Sequence, residues 1–196
     1  MIGYKAFNED WTCRDKQYKV GENYHEDNVE LCAHGMHFCT ELSDVFVYYD
    51  YMPCMKLAKV EASGTIIGSG NNSKHVASDL KVLEEIDPNS EELQLIAVKQ
   101  NGWAIEDIAN PSETVKLAAV KQNGLAIQFI VNPSEAVKLA AVKRCGYAIQ
   151  FINSPSEELK LEAVKQDGTA IKFIADPSET VQLAAVKKDA EAIRFI

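Results

Sequence analysis

The chain has 196 residues, 46% of them apolar, with 20 lysines and arginines against 29 aspartates and glutamates, for a net charge of −9. That length suits one large or two small domains. The acidic balance repels phosphate backbones and argues against direct nucleic-acid binding, although an acidic protein can occupy a basic groove meant for nucleic acid.

No apolar run approaches the roughly 20 residues that span a bilayer. Met1-Ile2-Gly3 leads straight into polar sequence, so no export signal is expected. The five cysteines, Cys13, Cys32, Cys39, Cys54 and Cys145, are an odd count without a disulfide-framework spacing, and reduced thiols in a cytosol are the expectation.

Residues 1–86 gather the histidines and most of the aromatics and read as a small α+β domain. Strands are expected over 3–7, 17–20, 29–31 and 36–38, with Ala33-His34-Gly35 turning between the last two. Thr40 is placed to cap a helix over about 41–49, and Pro53 closes that section. Residues 56–63 alternate, with Ala58, Val60 and Ala62 on one face, as a half-buried strand should. Gly64 then turns the chain so that 65–67 can pair back, and Gly68-Ser69-Gly70-Asn71-Asn72 reads as a loop. A helix over 73–86, with Val76, Leu80 and Leu83 as its buried stripe, is expected to cap the array that follows.

From residue 87 the chain repeats. Pro88, Pro111, Pro133, Pro155 and Pro177 are spaced by 23 residues and then by 22 each time. The units are 87–109, 110–131, 132–153, 154–175 and 176–196. In the second unit Asn110 reads as an N-cap and Pro111 as the first helical residue. Glu113 is placed for a capping box and Lys121 for the negative end of the dipole. Asn123-Gly124 stops the helix, with Gly124 expected at positive φ. A second, shorter helix follows from Leu125 to about Val131.

Val115, Leu117, Ala119 and Val120 recur in the long helix, and Ala126, Ile127, Phe129 and Ile130 in the short one. One unit cannot bury that surface alone but a stack can, so 87–196 reads as an α-helical solenoid of five helix-pair repeats. The ends deviate. Asp107 stands where later units have phenylalanine, Ala190 replaces the glycine, and the last residue, Ile196, is apolar. Such an end calls for cover, by a partner chain (a homodimer through the uncapped C-terminal repeat) or by further repeats.

The run Trp11-Thr12-Cys13-Arg14, Tyr18-Lys19-Val20-Gly21, Gly35-Met36-His37-Phe38-Cys39 and Asp44-Val45-Phe46-Val47-Tyr48-Tyr49 fits C-R-x-x-x-Y-x-V-G, G-[FM]-H-x-C and D-V-x-x-Y-Y. It resembles an uncharacterised domain common in phage and prophage proteins of low-GC bacteria. The repeats likewise resemble an uncharacterised A-V-K-Q-N-G helical repeat of bacteria and their viruses. The resemblance implies a phage accessory protein, of the kind that binds and blocks host defence complexes, anti-CRISPR proteins among them, in the host bacterial cytoplasm.

Three constellations could carry function. Cys32, His34, His37 and Cys39 form C-x-H-x-x-H-x-C, residue types that zinc accepts, though alternate strand residues would point to opposite faces. The element around His37, followed by Tyr48 and Tyr49, is distantly similar to the ADP-ribosyltransferase arrangement, in which His37 would need a partner acid such as Glu61. No Gly-rich phosphate loop, G-x-S-x-G elbow or H-E-x-x-H is present.

The third constellation comes from comparing units. Trp103, Leu125, Tyr147, Thr169 and Glu191 vary, as do Glu106, Gln128, Gln150, Lys172 and Arg194, while their neighbours repeat. Three residues apart, the two sets share a helix face and would form one stripe. Large aromatics at such variable places are typical binding anchors.

The sequence therefore reads as a non-catalytic protein-binding protein without cofactor. It would be a phage or prophage inhibitor of a bacterial defence complex, anti-CRISPR-like, acting by occlusion. Its partner would be a protein, such as a host nucleoprotein defence complex, with no direct nucleic-acid contact and no membrane. The second reading is an enzyme or small-ligand site in the leading domain around His37.

Overall fold

A computed structural model of the chain describes residues 1–68, 70 and 73–196. The chain forms two compact units, Met1–Gln100 and Asn101–Ile196. The α+β beginning and the helical repeats after it are both present.

The first unit contains strands β1 (Ile2–Phe7), β2 (Thr12–Cys13), β3 (Lys16–Gln17), β4 (Asn23–His25), β5 (Met36–Cys39), β6 (Lys56–Gly68) and β7 (Lys74–Ile86), and helices α1 (Leu42–Tyr48) and α2 (Glu91–Gln100). β1 pairs with β5 and β6, and both of those pair with β7, all antiparallel, so the ladder closes into a ring. β4 follows β5 along the same edge of β7, opposite Asp79 to Lys81. β6 can serve both partners because two register shifts bend it, at Lys59/Val60 and Ser63/Ile66. Gly64, at φ 68, sits inside the second shift.

Residues 73–86 are therefore not the expected capping helix. Val76, Leu80 and Leu83 fit a helical period, but Val76, Ser78, Leu80 and Val82 fit a period of two and are buried, together with Ala77, whereas Leu83 is not. Pairing with β6 along the whole of β7 decides between the two periods. For the same reason 65–67 does not fold back: Gly64 makes a bulge, and Ile66 and Ile67 continue β6 opposite Ala77 and Val76.

The strand expected at 29–31 is reduced to a bridge between Glu30 and His34. That at 17–20 is replaced by β3, while β4 was not anticipated. Thr40 does not cap α1; the N-cap is Glu41, without a side-chain bond. Thr40 instead donates its N–H to the Ser73 carbonyl at 3.0 Å. In the loop expected over 68–72, residues 69, 71 and 72 lie outside the described residues.

Two apolar clusters hold this unit. Phe7, Tyr18, Met36, Phe38, Val60, Leu80 and Val82 fill one. Ala6, Cys39, Val45, Met55, Leu57 and Leu93 form the other, where α1 and α2 pack. Leu93 thus takes the long helix of the first repeat into the core of the leading unit. Alternation along β1 sends Ala6 to one cluster and Phe7 to the other.

The second unit contains helices α3 (Glu113–Gln122), α4 (Glu135–Arg144), α5 (Glu157–Gln166) and α6 (Glu179–Lys188). With them come the 3-10 helices Gly102–Asp107, Gly124–Phe129, Gly146–Phe151, Gly168–Phe173 and Ala190–Phe195. Val115, Ala119 and Val120 of α3 are fully buried, as are their counterparts Val137, Ala141 and Val142. The short element is a 3-10 helix rather than an α-helix, a form that serves in pieces of this length.

The cap is two residues later than expected. Ser112, not Asn110, accepts from the Val115 N–H, at 3.3 Å. Asn110, Asn132, Ser154 and Asp176 instead hold left-handed positions at φ 53, 49, 49 and 47. Asparagine and aspartate tolerate that region better than other side chains. Glu113 makes no capping box; it accepts from the hydroxyl of Ser134, the next unit's cap, and Glu157 does the same for Ser178. Asn123 ends α3, giving its N–H to the Ala119 carbonyl at 2.8 Å, and its side chain opens the 3-10 helix by accepting from the Leu125 N–H at 3.0 Å.

Gly124 does not take positive φ. It is required because a Cβ there would lie 2.5 Å from the Ala141 carbonyl and 2.8 Å from Cys145 Cβ of the next unit. Gly102, Gly146 and Gly168 face the carbonyls of Ala119, Ala163 and Ala185 in the same way. Gly124→Ala tests this contact. Alanine gains about 1 kcal/mol in helical propensity, but a backbone collision of this closeness costs more, and a net loss of about 1–3 kcal/mol is expected in urea unfolding.

Candidate functional site

In a 3-10 helix residues i and i+3 eclipse, so each short segment shows three rows. Gly124, Ile127 and Ile130 make the buried row, Ala126 and Phe129 the flank, and Leu125 and Gln128 the outer row. All the stripe residues expected from the sequence, Trp103, Glu106, Leu125, Gln128, Tyr147, Gln150, Thr169 and Lys172 with Glu191 and Arg194, lie on outer rows of the second unit, none of them buried.

The outer and flank rows are knitted across units. Trp103 sets its ring edge-on to Phe129, with centroids 5.6 Å apart, and Tyr147 does so with Phe173 at 5.7 Å. Tyr147 also shares a hydrogen bond of 2.5 Å with the Thr169 hydroxyl. Lys172 Nζ stands 5.0 Å from the Tyr147 ring centre, 4.9 Å from that of Phe173 and 6.0 Å from that of Phe195. Gln128 and Gln150 donate to the carbonyls of Leu125 and Tyr147.

The repeating phenylalanines, expected as core, belong to this surface. Phe151 and Phe173 are each 38% exposed and Phe195 is 45% exposed. At about three residues per turn, the residue four after the outer position reaches the flank and not the core. At the end of the array Leu183 and Ile193 are 65% and 62% exposed, whereas the counterparts of Ile193, namely Ile127, Ile149 and Ile171, are buried.

The first unit carries a cleft of about 320 Å³. Its lining includes Lys5, Cys13, Arg14, Tyr18, His37 and Tyr49. Apart from Lys5, these are residues of the three sequence motifs, brought together from β2 and its turn, β5 and the end of α1. Lys5 shares the side of β1 that carries Phe7, and it is buried. Its ammonium donates to the His37 carbonyl at 2.9 Å and to Cys13 Sγ at 3.3 Å, and it lies 5.5 Å from the ring centres of Phe7 and Tyr18. Burial holds its pKa below the ordinary lysine value. A lysine among the apolar residues of a short strand is the sequence signal for this site.

His37 is a structural group in this cleft. Its Nε2 accepts from the Cys32 N–H at 2.8 Å, which requires an unprotonated Nε2. Burial, and then the charges of Arg14, Lys5 and Lys74, push its pKa down to about 4. Glu61 is not brought to it. That carboxylate lines a separate hollow on β6 and β7, beside His25 and Asp79. There both ring nitrogens of His25 are engaged, by Asp79 at 2.7 Å and Asp27 at 3.2 Å.

The four candidate metal ligands are not gathered either. Cys32 is exposed, Cys39 is buried in the cluster beneath α1 with its thiol pushed up to about 11, and His37 is engaged as described. Among the described residues no three His, Cys, Asp or Glu side chains are arranged to hold a metal ion.

His37 makes stability depend on acid. Its folded pKa, about 4, lies below the ordinary 6.5. Its contribution is therefore complete above pH 6.5 and is lost as pH falls toward 4, where the unfolded chain binds the extra proton. The urea midpoint of the native chain should fall across that window. In His37→Gln, which cannot titrate, the fall should be visibly shallower.

Residues 1–93 match the sequence model of a family described as Domain of unknown function (DUF7666). No curated protein and no solved structure matches the chain. The matched stretch takes in every residue that lines the cleft, so the first unit is similar to that family over the whole of its candidate site.

Proposed function

We propose that the chain is a non-catalytic binding protein that engages a partner protein through the outer and flank rows of its second unit. The observation that supports this reading most is the row of ordered, half-exposed rings, Trp103, Phe129, Tyr147, Phe151, Phe173 and Phe195, above a core that is already complete without them. Contiguous exposed apolar surface rimmed by polar groups marks interaction sites. Here the rim is Glu106, Gln128, Gln150, Lys172 and Arg194, which changes from acidic to basic along the array.

The setting we propose is a phage or prophage inhibitor of a bacterial defence complex, anti-CRISPR-like, working in the host cytoplasm by occlusion. It is supported by the motif resemblance of residues 11–49 and by the net charge of −9, which suits a basic nucleic-acid groove on the partner. The exposed Leu183 and Ile193 would be covered by a second copy or by further repeats.

The test is the pair Trp103→Ala and Tyr147→Ala, combined, with capture of partner from host lysate and thermal unfolding as readouts. Each substitution removes an edge-to-face pair worth about 0.5–1.5 kcal/mol, so the fold survives. Binding should fall by at least about thirtyfold, the effect of losing one hot spot. Unchanged capture by the double variant would exclude the row as the interface, and a collapse of the fold would make these rings core residues.

A further inference from the structure

We propose that the cleft of the first unit is a binding site for a small phosphate-bearing anion. Three cations from three elements line it: Lys5 of β1, Arg14 of the turn after β2, and Lys74 of β7. Among the described residues none of the three is in an ion pair, whereas Lys16, on the same wall, meets Glu26 at 2.8 Å. Two carboxylates line the cleft as well, Asp15 and Glu26; Glu26 is engaged by Lys16 and by the Gly35 N–H at 3.0 Å and acts on Lys5 only at longer range.

Lys5 carries the argument furthest. It is 3% exposed, and among the described residues its ammonium is in direct contact with a carbonyl, a thiol and two ring faces and with no carboxylate. Burying a charge without an opposite charge is costly, and an apolar side chain would fit the aromatic cluster around it. A cation kept there at such a cost lacks only an anion. Arg14 adds a guanidinium on a backbone held at φ 54, with one nitrogen donating to the Ala33 carbonyl and the rest of the fork unused among the described residues. Lys74 lies 4.8 Å from the Tyr48 ring centre at the other side. All three line the same cleft as His37, and their charges help to lower its pKa.

The ligand class follows from that layout. Separate donors approaching from three elements suit a tetrahedral head with three free oxygens better than a planar carboxylate with two. The volume of about 320 Å³ is at the small end for ligand sites and excludes large molecules. Tyr18 and Tyr49 give the walls an aromatic surface for a ring attached to the phosphate.

The experiment is a titration of the isotope-labelled full chain at constant ionic strength and neutral pH, followed by backbone amide NMR. The probes are inorganic phosphate, adenosine 5′-monophosphate, adenosine and acetate. Phosphate and the monophosphate should each give saturable shifts at Arg14, Gly35 and Lys74, while adenosine and acetate give none. Arg14→Gln, on an exposed turn that keeps the fold, should weaken phosphate binding by about tenfold, the loss of one charge-assisted hydrogen bond. Lys5→Met should abolish saturation while the chain stays folded. Shifts no larger than those from matched chloride, equal binding by Arg14→Gln and the native chain, or acetate saturating the same amides as well as phosphate would each overturn the proposal.

Discussion

The second unit depends on one distance. Gly102, Gly124, Gly146 and Gly168 each lie so close to the unit that follows that an added Cβ would stand between 2.5 and 2.7 Å from an alanine carbonyl. That carbonyl is also the acceptor that ends the long helix, through the N–H of Asn123, Cys145, Asp167 or Asp189. Helix termination, the start of the next 3-10 turn and the stacking distance are therefore set at one place. The spacing has a surface consequence. It lets Trp103 reach Phe129 and Tyr147 reach Phe173 across the junction between units. A methyl wedge at the glycine would part the units and break the ring row as well as the core.

The first unit works from a different constraint. Closure of β1, β5, β7 and β6 onto one another gives an interior with a small radius, filled by aromatic and branched side chains. Strand alternation then leaves Lys5 no choice of direction, because it lies between Tyr4 and Ala6 on the side that carries Phe7. The fold thus delivers an ammonium to the floor of the cleft, while the turn at Arg14 and the start of β7 bring two further cations to its rim. In a chain of net charge −9, that local excess of positive charge runs against the composition.

How much of this was legible in the sequence follows from how local each cause is. Proline, serine and glycine at fixed offsets act within one turn, and the repeats could be read from them. Which residue capped the helix could not, because Asn110 and Ser112 are both good cap types and asparagine suits a left-handed turn as well as a cap, so its presence does not separate the two roles. The 3-10 geometry was also hidden, since Ala126, Ile127, Phe129 and Ile130 fit an α-helical face; only the smaller turn moves Phe129 outward. β7 is not legible from its own residues because its pairing with β6, not its own periodicity, selects the strand. The stripe was legible because units can be compared within one chain. The cleft was not, since Lys5, Arg14, His37, Tyr49 and Lys74 meet only through closure of the sheet.

The central claim is that the outer row of the array is a surface for contact with another protein. A photo-reactive amino acid placed at Gln150, on that row, and separately at Lys165, exposed on α5, tests it most directly in living cells. The account predicts one discrete adduct from position 150 and none from 165. Adducts of equal yield at both positions, or none at 150 with the folded protein present, would contradict it.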